Sequence, residues 1–200
     1  MVEATTGLLF GLFGYWAGSF IMIGDYQLFA AFALGLIIVA LLIAIATYDL
    51  LHTIIPDSWA YCFAAFALVF RLLLLNDMHL LPHAALPLAV LAAGPLCALP
   101  LFLLWAVSRG TWMGLGDAKL ALGIGWLLGM WDGIVSVMFS FMLGSAILVP
   151  FLFFTHIPGL TNSRAGLTMK SEVPFGPFLI ASCFIFLFLG LFGIPLPFIE

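Results

Sequence analysis

Between Asp25 and Asp49 the chain runs without one charged side chain, and its apolar residues are continuous rather than alternating. A segment of that kind enters lipid only if every backbone polar group is bonded within it, which leaves the α-helix; the alternating strands of a membrane barrel are excluded. The rest of the chain repeats the pattern. Charged residues make up 7% and hydrophobic residues 66%, with a mean hydropathy of +1.31, far outside the range of soluble domains. At roughly 20 apolar residues per crossing, 200 residues accommodate about six or seven helices. The expected fold is therefore an all-α, polytopic transmembrane bundle in a single integral-membrane domain over residues 1–200, with no separate soluble domain.

Hydropathy and turn residues place seven candidate spans at 5–24, 28–48, 58–75, 85–107, 118–130, 134–155 and 176–196. The fifth is short and contains glycines, which suits a tilted or partly buried helix. The first lacks a basic leader and a small-residue cleavage site, so it reads as a retained span rather than a signal peptide. With the N-terminus in the cytoplasm, Arg109, Lys119, Arg164 and Lys170 fall on the cytoplasmic side, four of the five basic residues. Asp25, Asp77, Asp132 and Glu200 then lie outside, with Arg71 near the outer end of its helix as the exception. The bias of basic residues favours this orientation, which also gathers Asp49, Asp57 and Asp117 at the cytoplasmic face.

No basic patch points to nucleic acid. Cys62, Cys97 and Cys183 lie far apart inside apolar stretches, without CxxC spacing, and read as small packing residues rather than zinc ligands or disulfides. Residues 156–172 form the longest polar connection, with Pro158, Gly159, Asn162, Ser163 and Gly166 as turn formers; a mobile loop is the simpler reading, and a cover for a site or partner the sharper one.

Two polar islands interrupt the apolar chain. In the first, residues 46–58, a helix reaches the interface, breaks at Pro56 and restarts, with Asp57 or Ser58 as its cap. Capping accounts for Asp57. It does not account for Asp49, whose carboxylate falls at the unfavourable end of the first helix's dipole. His52 is placed to tune Asp49, although its exposed loop context favours a solvated side chain. His79 and His83 belong to the opposite face, which argues against a metal shared with the acids.

The second island is Gly114-Leu115-Gly116-Asp117-Ala118-Lys119. Gly114 and Gly116 are expected to let the backbone bend sharply and to admit another main chain. Asp117 is a candidate cap for the next helix, and Lys119 an interfacial anchor or local charge partner. Two carboxylates brought to a shared water hold one proton between them; the ionised partner takes a proton from water while the protonated one polarises a scissile carbonyl. Such chemistry needs no metal, nucleophilic side chain or cofactor. The patterns of other hydrolases and of nucleotide binding, GxSxG, HExxH and a Walker-type GK[ST] loop, are absent.

Three stretches in order resemble the type IV prepilin peptidase family, the membrane GxGD aspartic proteases. They are Asp49-Leu-Leu-His-Thr-Ile-Ile-Pro56-Asp57, Gly114-Leu-Gly-Asp117-Ala-Lys119-Leu, and Val173-Pro174-Phe175-Gly176-Pro177-Phe178. The resemblance implies that Asp49 and Asp117 are the catalytic pair, that Asp57 supports the loop, and that Pro174 and Pro177 fix the entry of the last helix around Gly176. It also implies substrates: type IV prepilins or type II secretion pseudopilins, with a basic leader ahead of an apolar helix, cut after a glycine at the cytoplasmic face of a prokaryotic inner membrane. The chain departs from many bacterial members in lacking an earlier span and a segment with paired CxxC motifs. Its opening, Val2-Glu3-Ala4, resembles the stretch located just after that segment, so the chain reads as a short form, natural or truncated, without the zinc site and with the N-methyltransferase activity of bifunctional members in doubt. The competing readings are a relative that binds prepilins without cutting them, and a small membrane scaffold or transporter; acids at the interface rather than at mid-span weigh against transport.

Overall fold

The computed structural model describes residues 2–21, 26–74, 87–155 and 174–192, and among them it contains seven helices and no strand. These are α1 (Val2–Ile21), α2 (Tyr26–His52), α3 (Asp57–Leu74), α4 (Pro87–Ser108), α5 (Leu115–Leu128), α6 (Met130–Thr155) and α7 (Gly176–Leu191). The all-α bundle expected from hydropathy is the fold found. Segments within α2, α3, α4 and α6 are long and apolar enough to cross a membrane. Their outward faces are apolar: Leu88, Leu99, Leu103 and Val107 of α4 and Met138, Met142 and Ile147 of α6 are all exposed. On a soluble protein such a belt would drive aggregation; in a bilayer it is the surface that lipid wets. The connection expected at 156–172, together with Asp25, Asp77, His79, His83, Arg164, Lys170 and Glu200, lies outside the described residues.

The short fifth helix is the centre of the bundle. At 14 residues α5 measures about 21 Å, less than the bilayer core, and α3, α4, α6 and α7 all pack against it. Small residues allow the approach. A Cβ at Gly123 would collide with the Phe63 ring of α3, and one at Gly125 would stand 2.5 Å from the Ala93 carbonyl oxygen of α4. Glycine here serves close helix packing where apolar lipid gives no hydrophobic drive between helices.

Helix α4 carries Pro95, which has no N–H to give to the carbonyl of Leu91 one turn earlier. Trp126 of α5 replaces the missing donor, its Nε1 bonding to the Leu91 oxygen at 3.1 Å. Gly94 leaves room for the ring, whose atoms lie 2.6 Å from where a Cβ would stand. Between α6 and α7, Ser182 Oγ donates to the Ser136 carbonyl at 2.6 Å, and the two hydroxyls meet at 3.1 Å.

Three expectations about local structure are corrected. The loop expected between the fifth and sixth spans shrinks to Gly129: α6 begins at Met130, and Asp132 lies in its first turn. Gly129 achieves this at φ +96°, a conformation that side chains other than glycine's rarely adopt. Helix α5 starts at Leu115, so Gly116 and Asp117 belong to its first turn rather than preceding it. Cys97 and Cys183 are buried as expected, whereas Cys62 is exposed on α3. Arg71, read as an exception near the outer end, is buried there, with Asp132 as the opposing charge and Gly129 against its guanidinium.

Candidate active site

The loop between α2 and α3 is built from strained and restricted residues. Thr53 ends α2 in the left-handed region, at φ 55°, and its N–H closes on the Asp49 carbonyl at 2.7 Å. Glycine is the usual residue at that position; a β-branched side chain there costs about 1–3 kcal/mol. Pro56 then restricts Ile55 to extended backbone, and its carbonyl accepts the first bonds of α3 from the N–H groups of Trp59 and Ala60. Pro56, not Asp57 or Ser58, therefore holds the cap position. The Asp57 carboxylate instead pairs with Lys119 Nζ of α5 at 2.7 Å, and that ammonium also lies 5.1 Å from the centre of the Tyr61 ring. Lys119 is thus a local charge partner. His52 is exposed and stacks on Tyr48 at 4.3 Å.

Asp49 and Asp117 are both buried, at 4% and 8% exposure. Asp49 sits in the last turn of α2, but it also faces the first turn of α7: a Cβ at Gly176 would stand 2.5 Å from its Oδ2. The positive end of α7 thereby offsets the unfavourable end of α2. Asp49 Oδ2 has no hydrogen-bond partner among the described residues. Asp117 is the third residue of α5, with the Gly114 N–H turned toward its carboxyl, the arrangement of half a capping box. Burial first, and then the charge of Asp49, push Asp117 up to about 7 from the ordinary carboxylate range.

The glycines of the second island do different work from that expected. Gly114 is extended at φ −72°, and neither it nor Gly116 has a positive φ; the turn before α5 is made by Arg109 and Gly110 at φ 52° and 79°. Gly116 does admit a neighbour, but it is a side chain. A Cβ there would stand 2.9 Å from Cβ of Ile55, whose Cδ1 lies 3.3 Å from the Cβ position of Gly176. Ile55 thus meets both the second and third motifs, and Asp49 the third. At the start of α7, Phe175 occupies the cap position and Pro177 the first turn, where its missing N–H costs nothing. Sequence reasoning did not single out Ile55 or Thr53. The one signal was Pro56, which fixes the backbone before it.

A helical membrane bundle that buries two acids at one end, with the charge of one acting on the other, is the class that fold and site define. The model of the type IV leader peptidase family matches residues 36–149, more than half of the chain, and the chain belongs to that family. The match spans Asp49, Asp57, Gly114, Gly116, Asp117 and Lys119, while Pro174 and Gly176 lie beyond it. No curated protein and no solved structure matches the chain. Membership makes the chain a protease of the prepilin-processing kind, integral to a membrane, with prepilins as its general class of substrate.

Proposed function

We propose that the chain is an aspartic endopeptidase that removes the basic leader of type IV prepilins or type II secretion pseudopilins, with Asp49 and Asp117 as its catalytic pair. The observation that carries this reading is the burial of the two carboxyls where the charge of Asp49 acts on Asp117, at a helix end and a helix start that belong to the family's match. Residues 1–200 act as one peptidase domain, in the inner membrane of a prokaryote, with the pair toward the cytoplasm. The substrate's apolar helix stays in lipid while its leader reaches the site.

The roles divide by environment. Asp117, pushed up to about 7, holds the proton; Asp49, facing the positive end of α7, is the base. Asp49 takes a proton from water as the water oxygen attacks the scissile carbonyl carbon, and Asp117 gives its proton to the carbonyl oxygen. When the tetrahedral adduct collapses, the leaving nitrogen takes the proton held on Asp49, and a hydroxyl of the adduct returns one to Asp117. The ion pair of Asp57 with Lys119 ties the loop to α5.

The test is cleavage of a leader peptide by the purified chain in lipid. Asp49→Asn and Asp117→Asn are each expected to lose cleavage while inserting and folding as the parent does. Cleavage by either variant at the parent's rate rejects the pair, and a folded parent that binds leaders without cutting them makes the chain a binding relative.

A further inference from the structure

Ile54 and Ile55 are neighbours of identical composition with opposite surroundings. Ile54 is 65% exposed, whereas Ile55 is 8% exposed and enters the space between α2, α5 and α7. Its Cβ is 2.9 Å, and its Cδ1 3.5 Å, from the Cβ position of Gly116; the same Cδ1 is 3.3 Å from the Cβ position of Gly176, against which Asp49 Oδ2 also lies. One side chain thus touches the helix start that carries Asp117 and the helix start that faces Asp49. Its backbone has little freedom, since Pro56 follows it and the left-handed Thr53 precedes it by two residues.

We propose that Ile55 is a positioning residue of the peptidase site: wedged between Gly116 and Gly176, it sets the separation of the Asp49 and Asp117 carboxyls and keeps bulk water from them. The two glycines are then the complement of the wedge, each lacking the carbon that would occupy its place. This inference rests on the assignment of Asp49 and Asp117 as the working pair, but its physical core, control of the pair by one apolar side chain, is measurable without cleavage.

Other groups bear on the titration of the pair. The elements around it carry Tyr48 and His52 on α2, Asp57 and Tyr61 on α3, Lys119 on α5 and the buried Cys183 on α7. Asp57 and Lys119 compensate each other at 2.7 Å, and His52 is exposed. The apolar wedge is therefore the element whose trimming changes hydration of the pair without adding or removing a charge.

Ile55→Val deletes Cδ1 alone, the atom that reaches toward both glycines; Ile55→Leu restores a δ carbon. Two measurements decide. The first is the infrared band of protonated carboxyl in the purified, lipid-embedded chain, followed against pH with Asp117→Asn to assign it. The second is the pH profile of kcat and KM for a leader peptide, with thermal unfolding measured on every variant. With Ile55→Val, water reaches the pair, the charged forms become easier to make, and both the carboxyl band and the alkaline limb of kcat move to lower pH by about half a unit or more. At pH 7 kcat falls about tenfold, KM is unchanged, and Ile55→Leu recovers most of the loss. Superimposable band titrations in parent and Ile55→Val overturn the inference and leave the peptidase assignment standing. A parent that does not cleave rejects the assignment, while the band titration still decides whether Ile55 governs the pair. A fall in unfolding temperature with no change in either pH dependence reduces Ile55 to ordinary packing and also overturns the inference.

Discussion

A carboxyl that titrates near 7 reverses the usual sense of acid stabilisation. Asp117 binds its proton more tightly in the folded chain than in the unfolded one, whose carboxyl keeps the ordinary value of 3.8. Between those values the folded state holds more protons, so the contribution of Asp117 to stability falls as pH rises, and it levels off above about 7. Asp117→Asn removes that dependence. Thermal unfolding in detergent is expected to show the variant more stable than the parent at pH 8, by an amount on the order of a few kcal/mol, with the gap closing toward pH 4. A gap that stays constant across this range would reject the linkage. The acids were legible in the sequence because so few charges accompany them, and Asp49 stood out as an acid at the wrong end of a helix. That α7 supplies the opposing dipole was not legible, since it depends on a contact between residues far apart along the chain. Neither was the division between Ile54 and Ile55, because composition cannot say which of two identical neighbours faces inward.

Helix ends, rather than helix bodies, make this site. A Cβ at Gly176 has no room beside Asp49 Oδ2, whereas one at Gly144 in α6 meets only ordinary contacts with Phe175 and Phe178, at 3.7 Å or more. Gly176→Ala should therefore cost about 1–3 kcal/mol and most of the cleavage, while Gly144→Ala should be neutral or gain about 0.5–1 kcal/mol. Equal effects from the two would show that the crowding at Gly176 is relieved elsewhere. The exchange between Pro95 and Trp126 makes a second prediction. Trp126→Phe leaves the Leu91 carbonyl without its donor and should cost about 1 kcal/mol from the hydrogen bond, besides the change in packing. In a Pro95→Ala background, where Leu91 regains a backbone N–H, the same substitution should cost less; identical costs in the two backgrounds would show that the indole does not stand in for the missing donor. Hydropathy placed all seven helices but not their ends. It put a loop at 131–133 because Asp132 is charged, yet one glycine with positive φ turns the chain and leaves Asp132 in a helix.

At the scale of the molecule the charged residues separate by end. Asp49, Asp57, Arg109, Asp117 and Lys119 share one end of the bundle, and Arg71 and Asp132 mark the other, as connectivity and contacts require. The orientation proposed from basic residues then has a direct check. In a background with Cys62 replaced, Cys97 and Cys183 being buried, a cysteine at Arg109 should react with a membrane-impermeant thiol reagent from the cytoplasmic side, and one at Trp131 from the other side. The reverse pattern would turn the pair away from the cytoplasm. The order of motifs along the chain carried the family resemblance, and the family match over 36–149 bears it out. What the motifs left unsaid is how they come together, since packing of α7 against α2 and α5 arises from the shapes of buried faces rather than from any short pattern.

The bond from Trp126 to Leu91 has a mechanical corollary. Helix α5 cannot slide along α4 by even a fraction of a turn without parting the indole from its acceptor and driving the ring out of the notch at Gly94. Just past the same end of the helix, Gly129 packs against the buried Arg71 and braces it further. The helix that carries Asp117 is thus the fixed side of the proposed site, and any travel that admitted a peptide there would fall to the elements that carry Asp49 and Gly176.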